Sequence, residues 1–228
     1  MTSIKKNINL LYRIIVLSIN QIFIFQIPYY HNIDIIDTNE NNINGLFSFI
    51  SYEEKNLIAY PNTTKGHITI KNYLNEKNIE INAHENDISY FTLNKNGNLL
   101  ASASEKGTLI RIFNSENGDL IREFRRGQEY VEIFNIVFSD NNQFFALSSN
   151  KGTIHIFSMS KKKKISFWPF KNEYSFAKIR IEESNSRCCF CNENKSVYLI
   201  CENGKFYHAD IDLNYGGDCK IIEEKSLI

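Results

Sequence analysis

The chain has 228 residues, 43% of them hydrophobic and 13% aromatic, which is enough to bury a large core and excludes disorder along its whole length. Its 26 basic and 26 acidic side chains cancel at pH 7, so overall charge gives no drive onto nucleic acid or an anionic membrane; attraction to either has to come from local patches. Five cysteines, with Cys188, Cys189 and Cys191 crowded into one apolar stretch, point to reduced, buried thiols rather than a disulfide framework, and a cytoplasmic setting is expected.

From the N-terminus, the apolar run Ile8 to Ile27 has the hydrophobicity of a signal peptide or anchor, but Arg13 and Asn20-Gln21 interrupt it. It alternates in the strand manner, and two strands joined by a tight turn, around Leu17 and Ile22-Phe23-Ile24-Phe25, are expected before Pro28. A phrase then recurs: an apolar strand, a short polar turn, and a glycine that opens an alternating run. It appears as Leu57-Ile58-Ala59-Tyr60 with Gly66-His67-Ile68-Thr69-Ile70, and as Leu99-Leu100-Ala101-Ser102-Ala103-Ser104 with Gly107 to Phe113. The next copies are Phe144-Phe145-Ala146-Leu147-Ser148-Ser149 with Gly152 to Phe157, and Val197-Tyr198-Leu199-Ile200-Cys201 with Gly204 to Tyr207. Asn96-Gly97, Asn117-Gly118 and Asn203-Gly204 mark hairpin turns. The copies are spaced like the ~40 to 45 residues of a WD-type blade, and no segment has helical period. The expected fold is all-β, a WD40-like β-propeller of roughly five four-stranded blades forming a single domain over 1–228. A sandwich is the competing architecture, disfavoured by the long regular repeat.

Phe124-Arg125-Arg126-Gly127 sets two guanidinium groups side by side at the end of a strand-like run. Successive strand residues point to opposite faces, so the pair serves two pockets more naturally than one, and each planar fork suits phosphate oxygens. The plain alternative is a solvated pair at a strand end. An enzyme is not expected. Ser104-Glu105-Lys106-Gly107-Thr108 lacks the leading glycine of a phosphate loop and joins two strands, no cysteine or histidine cluster has metal-finger spacing, and no nucleophile motif is present. Neither a metal nor a cofactor is implied.

Ala101 through Phe113, Phe124-Arg125-Arg126-Gly127 and Ser148-Ser149-Asn150-Lys151-Gly152-Thr153-Ile154-His155-Ile156-Phe157 together resemble the PROPPIN or WIPI family of phosphoinositide-binding propellers of autophagy. The likeness extends upstream through Leu57-Ile58-Ala59-Tyr60-Pro61 and Ala83-His84, and downstream through Ser175-Phe176-Ala177 and Gly216-Gly217-Asp218-Cys219. The resemblance implies seven blades, of which this chain carries the third onward; an incomplete product is expected, with a shorter closed ring as the alternative. It also implies two shallow pockets for phosphatidylinositol 3-phosphate and the 3,5-bisphosphate. The first would use Arg125 with His84, Ser104, Thr108 and Arg111, and the second Arg126 with Ser148, Ser149, Thr153 and His155.

Each of these residues has an ordinary role open to it. The hydroxyls sit beside turns and can bond local backbone, His84 can bond a neighbouring strand, and His155 and Arg111 alternate with apolar neighbours and are expected to face outward. Lys161, Lys162, Lys163 and Lys164, followed by Phe167, Trp168 and Phe170, are candidates for membrane contact, in a loop shorter than the family's; a solvated lysine turn before an aromatic strand is the other reading. The expected partners are phosphoinositide membranes and, by resemblance, an autophagy-related lipid-transfer protein. The chain is expected to act as a monomer without nucleic acid, peripheral on preautophagosomal, endosomal, vacuolar or other organelle membranes. The rival function is a lipid-independent protein-interaction scaffold.

Overall fold

The recurring phrase forms the second and third strands of successive four- or five-stranded sheets. The structure is a computed structural model and describes residues 13–27, 30–38, 42, 44–52, 55–160 and 174–228. The first sheet has three strands, β1 (Arg13–Leu17), β2 (Gln21–Gln26) and β3 (His31–Asp37), so the N-terminal apolar run folds as strands in its described part. The second is β4 (Ser48–Tyr52), β5 (Lys55–Pro61), β6 (His67–Asn72) and β7 (Lys77–Asn82). The third is β8 (Ile88–Leu93), β9 (Leu99–Ser104), β10 (Leu109–Asn114) and β11 (Leu120–Arg125). The fourth is β12 (Ile133–Phe138), β13 (Phe144–Ser149), β14 (Thr153–Ser158) and β15 (Ala177–Arg180), and the fifth begins with β16 (Ser186–Cys191), β17 (Ser196–Cys201) and β18 (Lys205–Asp210).

Two C-terminal strands complete the last two sheets. β19 (Gly217–Asp218) pairs parallel with β15 as a fifth strand of the fourth sheet, and β20 (Lys220–Ser226) closes the fifth sheet against β18. The expected four strands per blade are found in the second, third and fifth sheets, while among the described residues the first has three and the fourth has five. Every other pairing is antiparallel between neighbours in sequence, which gives five meanders. The first strands of successive sheets, β4, β8, β12 and β16, lie against one another, as the inner strands of propeller blades do.

Burial explains why the repeat was so apolar. A blade inside the array is covered by a neighbour on both faces, and all six residues of β13 are buried. Ala101, Ala103, Ile110, Ile112 and Phe124 of the third blade pack with Phe138, Phe145, Leu147 and Phe157 of the fourth. Phe144, Ala146, Ile154 and Ile156, on the other face of the fourth blade, pack with Cys188, Val197, Leu199 and Tyr207 of the fifth. Polar stitches join the inner strands: the Leu93 amide donates to Ser48 Oγ at 2.9 Å and the Cys188 amide to Asn135 Oδ1 at 3.0 Å. Asp34 ties the first blade to the second, accepting from Lys71 Nζ at 2.6 Å and Tyr73 OH at 2.7 Å while Arg13 lies over the Tyr73 ring.

All five cysteines are free. The expectation that the crowded trio is buried holds for Cys188, whose thiol is pushed up to about 12 by burial. It fails for Cys189, which is exposed because alternation along β16 turns it to the opposite face.

Candidate phosphate-binding clefts

β11 is the outermost strand of the third blade, and its two faces turn toward different neighbouring blades, giving two candidate clefts. Arg111 and Glu123 are directly opposite each other across β10 and β11, so Glu123 and Arg125 share the face that carries Arg111. Ser102 stands opposite Arg111 on the other side of β10, and Ser104 follows it two residues on, which puts both on that same face toward the second blade. His84 enters this cleft from the end of the second blade, with Nε2 2.9 Å from Ser102 Oγ. Burial, and then the Arg111 charge, lower its pKa to about 4, so the imidazole is neutral at pH 7.

Of the first predicted set, His84, Ser104, Arg111 and Arg125 share this side of the third blade, with two changes, while Thr108 is seen only through its carbonyl, bonded by the Arg126 amide. Arg111 is half neutralised, since its Nε pairs with Glu123 Oε2 at 2.8 Å while Nη1 donates to the Ala83 carbonyl at 2.7 Å. His84 takes the neighbouring-strand bond that was its ordinary alternative, through Ser102, a residue the sequence reading did not single out. Arg125 is different. Among the described residues its guanidinium has no hydrogen bond or ion pair, and its Nε is buried without a partner. A buried guanidinium N–H without an acceptor carries an uncompensated desolvation cost, which an incoming anion would relieve.

On the other face, Phe124 is opposite Ile110 in the core between the third and fourth blades, and Arg126 follows it toward the fourth blade. The Arg126 amide bonds the Thr108 carbonyl at 2.9 Å. Its Nε donates to the Gly107 carbonyl at 3.0 Å and its Nη2 to the Glu129 carbonyl. These backbone contacts orient the fork without neutralising it. In the fourth blade, His155 is opposite Lys178 and Thr153 opposite Arg180 across β14 and β15, so these four side chains occupy one face. Burial lowers the His155 pKa to about 4, with the charges of Lys178, Arg126 and Arg180 adding to the effect. Three cations thus converge on one neutral imidazole.

His155 is only 8% exposed, which corrects its expected outward position; β15 and the neighbouring blade cover it. Ser148 does not join this set. It is fully buried and its Oγ donates to the Ser186 carbonyl of the fifth blade, because alternation along β13 turns it away from the face that holds Leu147, opposite His155. Ser149 is buried beside the turn, accepting weakly from the Lys151 amide at 3.4 Å. Thr153 is partly exposed and has no hydroxyl bond among the described residues. Lys178 and Arg180 were missed by the sequence reading. Their i, i+2 alternation in Ala177-Lys178-Ile179-Arg180 was visible, but the pairing that sets them beside His155 crosses 161–173 and was not. Lys161, Lys162, Lys163, Lys164, Phe167, Trp168 and Phe170 lie outside the described residues.

Five successive meanders, four of whose first strands lie against one another, define a β-propeller. The PROPPIN family model matches residues 1–168, and the chain belongs to that family. It is 34% identical over 199 residues to autophagy-related protein 18e of Arabidopsis thaliana, covering 81% of this chain and 53% of that protein. It is 32% identical over 220 residues to the human WD repeat domain phosphoinositide-interacting protein 1, covering 82% of this chain and 49% of that protein. The chain thus spans about half the length of these relatives. Among solved structures, Kluyveromyces lactis Hsv2 superposes with a TM-score of 0.79 at 20% identity, over 95% of this chain and 71% of that one. A further structural relative, KlAtg21, is similar at a TM-score of 0.75 and 23% identity, over 95% of this chain and 68% of that one; it is seen in complex with the coiled-coil of AgAtg16, a protein partner other than the expected lipid-transfer protein.

Proposed function

We propose that this propeller binds the head groups of membrane phosphoinositides, phosphatidylinositol 3-phosphate and the 3,5-bisphosphate, in the two clefts flanking β11, and acts as a non-enzymatic effector in autophagy or organelle membrane biogenesis. The observation that carries the reading is the Arg125–Arg126 pair, one guanidinium on each face of the strand end, with Arg125 Nε buried and without a partner among the described residues. In the first cleft Arg125 is the principal charge, Arg111 contributes what Glu123 leaves, and Ser104, Thr108 and His84 supply neutral polar contacts. In the second, Arg126, Lys178 and Arg180 supply charge around His155, with Thr153 and Ser149 at the margin. The name of the human relative gives the ligand class, and the name of the plant relative gives the pathway. Membrane recruitment from the cytoplasm follows from the same chemistry, with Lys161, Lys162, Lys163 and Lys164 adding about 1 kcal/mol each near an anionic leaflet.

Sedimentation with vesicles tests this. Vesicles carrying phosphatidylinositol 3-phosphate should capture the protein where phosphatidylinositol vesicles do not, and Arg125→Thr with Arg126→Thr should abolish capture. A charge-assisted bond is worth roughly 1.5 to 3 kcal/mol, so each single change should weaken capture by about tenfold or more. The complex of KlAtg21 with a coiled-coil favours a second reading, in which a propeller face docks a helical partner independently of lipid. Capture of such a partner that is untouched by the double substitution, without selective vesicle binding, would establish the scaffold instead.

A further inference from the structure

A cavity of about 460 Å³ opens at one end of the blades, and neither candidate cleft uses it. Antiparallel order puts the turn between the second and third strands of a sheet at the same end as the connection to the next sheet. These segments build the cavity: Asp87 comes from the connection into β8, Glu105 from the turn after β9, and Tyr130 and Glu132 from the connection into β12. Ile88 of β8 and Ile133 of β12 supply an apolar wall, and because β8 and β12 are inner strands, the cavity lies on the axial side of the array. Backbone bonds hold its rim. The Glu105 amide donates to the Asp87 carbonyl at 2.9 Å and the Asn150 amide to the Glu132 carbonyl at 3.0 Å. Gly66, also on the rim, packs so tightly that a Cβ there would lie 1.8 Å from the His84 carbonyl oxygen. The side chains, by contrast, are left open. The Glu105 and Glu132 carboxylates make no hydrogen bond or ion pair among the described residues, and Asp87 has only Lys65 at 3.6 Å, an exposed pair of little strength. Tyr130 stands 70% exposed at the edge.

The lining sets the sign and the size of an occupant. It carries three carboxylates, and no lysine or arginine is among the described residues that form it, so it favours a positive group. Among the described residues no three histidine, cysteine, aspartate or glutamate side chains are grouped to hold a metal ion, so these carboxylates are spaced for a larger, organic cation. A guanidinium suits them. Its planar fork can bond separate carboxylates at once, and its flat face can stack on the Tyr130 ring. The volume accommodates such a side chain together with neighbouring backbone, to which Thr64 and Asn150 on the rim offer neutral polar partners. We propose that this axial cavity docks an arginine-bearing segment of a partner protein, with the guanidinium held by Glu105, Glu132 and Asp87 against Tyr130. None of these residues belongs to either candidate cleft, so the proposal does not rest on lipid binding.

Fluorescence anisotropy of a labelled peptide, Gly-Ser-Arg-Gly-Arg-Ser-Gly, titrated with the full chain tests the proposal. The chain should bind this peptide, bind its lysine counterpart more weakly, and leave its glutamate counterpart free. Glu105→Gln with Glu132→Gln should weaken binding about tenfold or more, and Tyr130→Ala about threefold. All three side chains are exposed, so the melting temperature of these variants should match the wild type and exclude loss of fold as the cause. Glu76→Gln, an exposed carboxylate in the turn between β6 and β7 at the opposite end of the blade, should leave the affinity unchanged. Spermidine, a cation without a peptide backbone, should compete poorly. The proposal is overturned if the wild-type chain does not bind the arginine peptide, or if the double substitution leaves binding intact. An equal loss in Glu76→Gln would reduce the effect to general charge attraction, and competition by spermidine at equal concentration would replace the protein segment with a free polyamine; either result also overturns it.

Discussion

At the scale of single residues, the candidate clefts are built from groups held in an unfavourable state. Arg125 Nε is buried without an acceptor, while His84 and His155 are kept neutral by burial and by the cations beside them. The histidines make the fold acid-sensitive in a definite direction. Their folded pKa values, about 4, lie below the ordinary value of 6.5, so between those limits the unfolded chain binds protons that the folded chain does not. The stability involved is fully present above pH 6.5 and is lost as pH falls toward 4, on the order of 2 to 3 kcal/mol for each histidine at the acid end. The melting temperature should therefore drop steadily between pH 7 and 4.5, and His155→Gln should flatten that slope. A bound polyphosphate should reduce the loss, because an anion beside the imidazole favours its charged form. A melting temperature indifferent to pH over this range would mean that neither imidazole is held neutral.

At the scale of elements, the turn between β9 and β10 links backbone geometry to the second cleft. Gly107 has a φ of +60°, and a Cβ there would lie 2.1 Å from the Val131 carbonyl oxygen, while its own carbonyl accepts Arg126 Nε. Gly107→Ala combines a conformation that L side chains resist with a collision against backbone that cannot give way. It should cost more than about 1 kcal/mol, shift denaturant midpoints accordingly, and weaken vesicle capture beyond what the lost stability explains. The Gly107 turn was readable in the sequence, as were the second and third strands of the last four sheets, because doubly covered strands are continuously apolar. β19 was not readable as a strand, since Gly217-Asp218 has no strand pattern and pairs only where β15 offers an edge. The two-sided placement of Arg125 and Arg126 followed from alternation alone. By contrast, the pairing of Arg111 with Glu123, the turn of Ser148 toward the fifth blade and the arrival of Lys178 and Arg180 beside His155 all depend on register or on a neighbouring blade. A single strand's pattern contains neither.

At the scale of the whole molecule, a net charge of +0 gives no long-range attraction to an anionic membrane, so on the proposed lipid-binding reading recruitment depends on local contacts. The two candidate clefts sit on opposite sides of one strand in a packed array, so if both take lipid, a lipid held in the first would raise the effective concentration of lipid at the second. Capture should then rise more steeply than linearly as the mole fraction of phosphatidylinositol 3-phosphate increases at constant total lipid. Arg125→Thr or Arg126→Thr, leaving one cleft each, should return the dependence to linear and lower the apparent affinity by about tenfold or more, while the soluble head group, which engages each cleft separately, should lose only the capacity of one site. Raising the salt concentration should weaken capture in the wild type more steeply than in either single variant, because the wild type brings more cation–phosphate contacts into play. A linear dependence on lipid fraction in the wild type would show that one cleft does all the binding, and the variant with the smaller loss would identify the cleft that is idle.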